Sequence, residues 1–142
     1  THFALWAIMG SPLIMGCDLR KASGETKKTL LNKDLIAINQ DLESRGAYVI
    51  KPLPDVYNEN EAFTLVKPLA DGDLAIGIFN FSDTQRELSL EFWDMGIPYA
   101  AGVSLALHDC ITGEELGEFT ERFAPVVPSH GCVVVRAHLV EK

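Results

Sequence analysis

No apolar run approaches the roughly 18 residues needed to cross a bilayer, so no membrane-spanning segment is expected. Basic residues are few. Twelve Lys and Arg stand against twenty Asp and Glu, a formal net charge of −8. A surface of that sign repels the phosphate backbone, which is gripped by clustered Lys and Arg, and it repels anionic lipid equally. Nucleic acid and membrane are therefore set aside as partners. Cysteine is scarce too. Cys17, Cys110 and Cys132 cannot all pair within one chain, which argues against the disulfide-stapled scaffold of small secreted domains. Buried free thiols are the plainer reading, and they tilt the balance slightly towards a reducing, cytoplasmic compartment. The opening THFALWAIMG is apolar but lacks the basic leader of a secretory signal. No internal repeat and no low-complexity tract is present.

What is present divides in two. A chain of 142 residues holds one ordinary domain, or a small domain plus a fragment. Residues 1–45 carry six Lys/Arg against five Asp/Glu, near +1, whereas residues 46–142 carry six against fifteen, −9. Such a step marks two segments of different character.

In the first segment, residues 2–9 are apolar almost all round, the mark of a helix enclosed on most sides. Gly10-Ser11-Pro12 stops it. Leu13-Ile14-Met15 then predicts a short parallel strand, buried on both faces. Ser23 is placed to cap a short helix through Leu31, and Asn32 to cap the next, whose apolar side is Leu35, Ile36 and Ile38. Helix, strand, helix is the grammar of an α/β barrel or a doubly wound sheet.

From Gly46 the period changes to two. Arg86 to Phe92 alternates, with Leu88, Leu90 and Phe92 on one face, and Val103, Leu105 and Leu107 alternate likewise. Leu74 to Phe79 is apolar on both faces, as a central strand should be, and Asp71-Gly72 predicts a hairpin between it and Ala62–Leu69. Thr112-Gly113 marks another turn, and His130 to Val140 a final Val-rich strand. Seven or eight strands at this spacing predict a mostly β fold: an antiparallel Greek-key β-sandwich after a helix-strand-helix lead.

His108-Asp109-Cys110 and His130-Gly131-Cys132 repeat a His-x-Cys pattern. On adjacent strands the two would offer the ligand set of a structural zinc site, but the spacing is unorthodox and coincidence is the plainer reading. No metal and no cofactor are expected. Asn80-Phe81-Ser82 is a glycosylation sequon by pattern alone. Glu59 and Glu61 read as a solvated loop rather than a calcium site. Trp6 reads as core and Trp93 as packing at a turn. A second reading has Trp93 and Tyr99, with Tyr57, stacking on sugar rings.

Three stretches resemble the family 27 glycoside hydrolases, the α-galactosidases and their relatives: FALWAIMGSPLIMGCDLR, NKDLIAINQD, and the tail LHDCITGEELGEF followed by PSHGCVVVRAHL. That family has a (β/α)8 barrel followed by an antiparallel β-sandwich. The resemblance implies that residues 1–45 are the remnant of the barrel's end and residues 46–142 the sandwich. It implies a parent enzyme that hydrolyses terminal α-galactosides with retention, one Asp attacking the anomeric carbon and a second protonating the leaving oxygen. Both aspartates lie on barrel strands earlier than the one matching Leu13. A whole barrel takes about 250 residues, about 31 per unit, so this chain supplies little more than one unit. No residue here is expected to be catalytic, and the 142 residues alone are expected to be inactive.

By the same resemblance Asp18, with Cys17 and Met15, follows the eighth strand at the barrel rim, where active sites are built. Asp18 and Cys17 are the substrate-pocket candidates; the alternative for Asp18 is that it caps its own turn or pairs with Arg20. The implied partners are an α-galactoside, met through the parent enzyme, and the missing barrel domain. Self-association through the exposed remnant is a further expectation. The competing function is a non-catalytic carbohydrate-binding sandwich.

Overall fold

The computed structural model describes residues 1–51 and 61–141. Tyr57 and Glu59 lie outside the described residues. The chain opens with helices α1 (His2–Met9), α2 (Gly24–Leu30) and α3 (Lys33–Asn39). The strands follow as β1 (Tyr48–Lys51), β2 (Ala62–Pro68), β3 (Leu74–Asn80), β4 (Arg86–Glu87), β5 (Leu90–Glu91), β6 (Val103–Asp109), β7 (Glu115–Phe119), β8 (Arg122–Phe123), β9 (Val126–Val127) and β10 (Cys132–Glu141).

All described pairings are antiparallel. One sheet has six strands in the order β1-β2-β3-β10-β6-β7, and two short ribbons, β4-β9 and β5-β8, form the second layer. The large sheet is covered on both faces, which explains why its central strands are apolar on both sides. Phe63, Leu65, Ala75, Phe79 and Val134 point towards α1 and α3, against Ala4, Ala7, Ile8, Leu35 and Ile38. The alternate residues Val66, Ile76, Ile78, Leu105, Leu107 and Val135 point towards the second layer, against Leu90, Phe92, Phe123 and Val127. The period of two thus sorts each strand between two cores. The fold is the mostly β sandwich expected, with helices added as a third layer.

Gly77 lies where α1 crosses β3. A Cβ there would sit 2.6 Å from Phe79 Cε2 and 3.0 Å from Ile8 Cδ1. Only a hydrogen fits in that gap.

Four expectations are corrected. Leu13–Met15 is not a strand: Ile14 is 87% exposed, and its N–H closes a tight turn onto Pro12 O. A parallel strand needs neighbours to satisfy its backbone, and the described residues place none beside it. For the same reason α1 is half covered rather than enclosed. Trp6 and Met9, 43% and 49% exposed, face away from the sheet. Trp93 is not packed at its turn but 61% exposed. Lastly, Arg86–Phe92 alternates as expected but splits into β4 and β5. Its partner segment carries Pro125, which has no N–H to give to the ladder, although Pro125 O still accepts from Leu88 N–H.

Candidate functional site

Cys17 and Asp18 sit together on the exposed connection after α1. Asp18 caps the short 3-10 turn Leu19–Lys21 by accepting from Arg20 N–H, and its carboxylate takes the Arg20 guanidinium at 2.9 and 3.0 Å. That guanidinium holds the Asp18 carboxyl below its usual range. Cys17 is exposed and free. Neither lines the cleft that opens beside α1. That cleft, of about 320 Å³, lies between the helices and is lined by Thr1, Ala4, Lys28, Asn32, Leu35 and Ile111, among others.

The residues that carry the most structural work lie elsewhere, at the joint between α3 and the large sheet. Asn32 Oδ1 caps α3 by accepting from Leu35 N–H at 3.0 Å, while its Nδ2 donates to Cys110 O at the end of β6, 2.8 Å away. One turn along, His108 Nε2 meets Asp34 Oδ2 at 3.2 Å and its Nδ1 meets Glu115 Oε1 at 2.7 Å. Only an imidazolium donates from both nitrogens, and the Asp34 and then Glu115 hydrogen bonds push the His108 pKa up. At the other end of α3, Lys67 reaches across from β2, and its ammonium donates to Ile38 O. Burial pushes the Lys67 pKa down, with the charge of Asp41 opposing. Asp41 Oδ1 accepts from Ala70 N–H at 3.0 Å in the β2–β3 turn, and Asn39 Nδ2 donates to Ser11 O at 2.8 Å beyond α1. Both ends of α3 are therefore pinned to the sandwich, around the apolar contacts of Leu35 and Ile38. A lone Lys in the apolar run FTLVK was the available signal for Lys67; a charged residue amid core positions is seldom idle.

The zinc candidates are otherwise engaged. His108 bridges two carboxylates, and His130 Nε2 meets Asp83 Oδ1 at 3.0 Å. Among the described residues no group of three or more His, Cys, Asp or Glu is arranged to hold an ion. Burial pushes the Cys110 thiol up to about 12. The sequon residue Asn80 is fully buried, and its Nδ2 donates to Thr84 O, Val127 O and Pro128 O, so the folded chain does not present it for modification. No helix of the described residues is long and apolar enough to cross a membrane.

The family model described as "Alpha galactosidase C-terminal beta sandwich domain" matches residues 59–137, and the one described as "Alpha galactosidase A" matches residues 1–41. The chain is 32% identical to the "Probable alpha-galactosidase" of Dictyostelium discoideum, over 95% of this chain and 34% of that protein. It is 33% identical to "Alpha-galactosidase A" of Cellvibrio japonicus, again over 95% of this chain and 34% of the relative. The crystal structure of alpha-galactosidase I from Mortierella vinacea superposes with a TM-score of 0.84 at 25% identity, covering 96% of this chain and 34% of that one. The chain thus spans about a third of the length of these relatives.

Proposed function

Because the chain belongs to the α-galactosidase family of glycoside hydrolases, carrying its C-terminal β-sandwich domain, we propose that it serves as the scaffold end of such a hydrolase. In this reading residues 1–45 close a catalytic barrel and residues 46–142 form the sandwich that holds the closing helices. The whole enzyme would hydrolyse terminal α-galactosides with retention, through two carboxylates supplied by other barrel strands. Cys17 and Asp18 would then stand at the barrel rim beside the sugar pocket.

The observation that carries this reading is the two-sided character of the first 20 residues. Ala4, Ala7 and Ile8 are buried against the sheet, while Trp6, Met9, Ile14, Met15 and Leu19 are exposed. An outward row of large apolar side chains is a surface made to be covered. A barrel's remaining helices and strands would cover it, pairing Leu13–Met15 from both sides. Left uncovered, the same face is where the chain associates with itself.

The test uses the 142-residue chain with p-nitrophenyl α-galactoside. The expected result is no turnover by the chain alone and turnover once it is joined to the preceding barrel of an α-galactosidase. Clear turnover by the chain alone would overturn the reading, since it would place a working pair of carboxylates within these residues.

A further inference from the structure

The face of the sandwich opposite the helices carries a second feature of interest. After β5 the chain makes two short 3-10 turns, Phe92–Met95 and Tyr99–Ala101. Phe92 plugs the core between the layers at 1% exposure, and Ile97 N–H returns to Phe92 O. The two turns end in Gly96 (φ 85°) and Gly102 (φ 68°), left-handed positions that only glycine takes without strain. The loop is anchored at Phe92, yet the two largest side chains it carries are exposed. Trp93 is 61% exposed and Tyr99 59%.

The surroundings of Tyr99 are polar and pre-set. Its hydroxyl donates to Glu91 Oε2 at 3.4 Å, and Ser89 Oγ donates to Glu91 Oε1 at 2.9 Å. Partial loss of water, followed by the charge of Glu91, pushes the Tyr99 pKa up. Arg122 stands opposite Glu91 on the β5-β8 ladder. The loop thus offers two exposed aromatic side chains and an acceptor held by Ser89 and Tyr99.

We infer that Trp93 and Tyr99, with Glu91 beside them, form a binding site for a neutral saccharide. The C–H face of a pyranose is apolar and lies flat on an aromatic ring, while its hydroxyls need acceptors at the ring's edge. Carboxylates supply acceptors and nothing else. Tyr and Trp have only two rotatable side-chain bonds, so they lose little entropy when they stack. The Glu91 carboxylate at the Tyr99 hydroxyl disfavours uronic or sialic sugars. A protein partner would need about 1,000 Å² of complementary surface, and two rings rimmed by charge do not provide it. The site sits on the second layer, across the large sheet from α1 and α3, so whatever packs on the helices leaves it open. Its standing does not depend on the barrel reading.

The test titrates the full chain with raffinose and follows tryptophan emission, with polygalacturonate as the anionic control. Trp6 and Trp93 are the two emitters, so Trp6→Phe isolates the relevant one. Saturable quenching should persist in Trp6→Phe, and the affinity read by titration calorimetry, which needs no tryptophan, should weaken about ten-fold in Trp93→Ala and in Tyr99→Ala, while Tyr99→Phe, which keeps the ring, should lose less. All four substitutions leave buried residues in place, and an unchanged melting curve checks folding. Absence of saturable quenching up to the solubility of raffinose would overturn the inference. So would binding indifferent to Trp93→Ala, tighter binding of polygalacturonate, or light scattering in which Trp93→Ala abolishes a dimer.

Discussion

Replacing Gly77 by alanine introduces a methyl carbon at the crossing of α1 and β3. Ordinary carbon contacts lie at about 3.5–4.0 Å, whereas this methyl would lie 2.6 Å from Phe79 Cε2, 3.1 Å from Phe79 Cζ and 3.0 Å from Ile8 Cδ1. Something must move by roughly 1 Å. The Ile8 methyl is the end of a flexible side chain, but the Phe79 ring is fully buried and stacked on Phe63 with centroids 5.3 Å apart. Overpacking of this kind costs about 1–3 kcal/mol, against roughly 0.4–1 kcal/mol gained by restricting the unfolded chain. The expected net loss is about 1–2 kcal/mol, or a fall in Tm of roughly 3–8 °C for a chain of this size.

The strain also has a signature beyond its size. In Ile8→Ala the vacated space should let the Phe79 ring shift, so the double substitution should be less destabilised than the sum of the singles by about 1 kcal/mol. Urea melts of the four proteins provide the comparison. A neutral or stabilised Gly77→Ala, or strict additivity with Ile8→Ala, would refute the packing argument and with it the seating of α1 on the sheet.

The remaining expectations concern the joint and the thiols. His108 has its folded pKa raised above the ordinary value of 6.5, so its contribution is fully present below that value and is lost as pH rises through the raised one. The partly exposed pairs with Asp34 and Glu115 are worth about 1 kcal/mol together, so the protection factors of α3 amides, with the intrinsic pH dependence of exchange divided out, should fall about five-fold across that window and stay constant with pH in His108→Gln. Arg136, opposite His108 on β10, is committed to Asp71 and Asp73 and should not substitute for it. Asn32→Ala removes a helix cap and the bond to Cys110 O, costing about 1–3 kcal/mol by denaturant melts; Asn32→Asp, which keeps the capping oxygen, should cost less. A thiol reagent followed by peptide mapping should modify Cys17 at once and Cys110 only on unfolding, because Cys110 is 1% exposed and its thiol is pushed up to about 12. Early modification of Cys110 would contradict its burial.

Local chemistry was the most legible part of the sequence. Ser23 and Asn32 were readable as caps because a short polar side chain before an apolar period has few other uses, and each accepts from the backbone N–H three residues on. The alternation of Val103–Leu107 and the two-sided apolar run of β3 announced their faces. What escaped depended on partners far along the chain. Leu13-Ile14-Met15 has the composition of a buried strand, but a strand exists only through its neighbours. Trp93 was read as packing because size suggests burial, whereas it is Phe92, one residue earlier, that occupies the core. The joint around α3 was hidden for a related reason. Lys67 and His108 gain their roles from Ile38 and Asp34, 29 and 74 residues distant, and no local period records such a pairing.

The position of β10 sets the order in which the domain can assemble. It lies between β3 and β6, yet it follows every other described strand in the chain. As the protein is made, β1-β2-β3 and β6-β7 emerge as two separate half-sheets, each with an open inner edge. Those edges have to wait, unpaired, for Cys132–Glu141 to be synthesised and threaded between them. Such edges readily pair with another chain, and non-local pairing is slow. The stretch of synthesis before β10 appears is therefore when the molecule is most exposed to aggregation, and a stop codon anywhere upstream of Cys132 would make that exposure permanent.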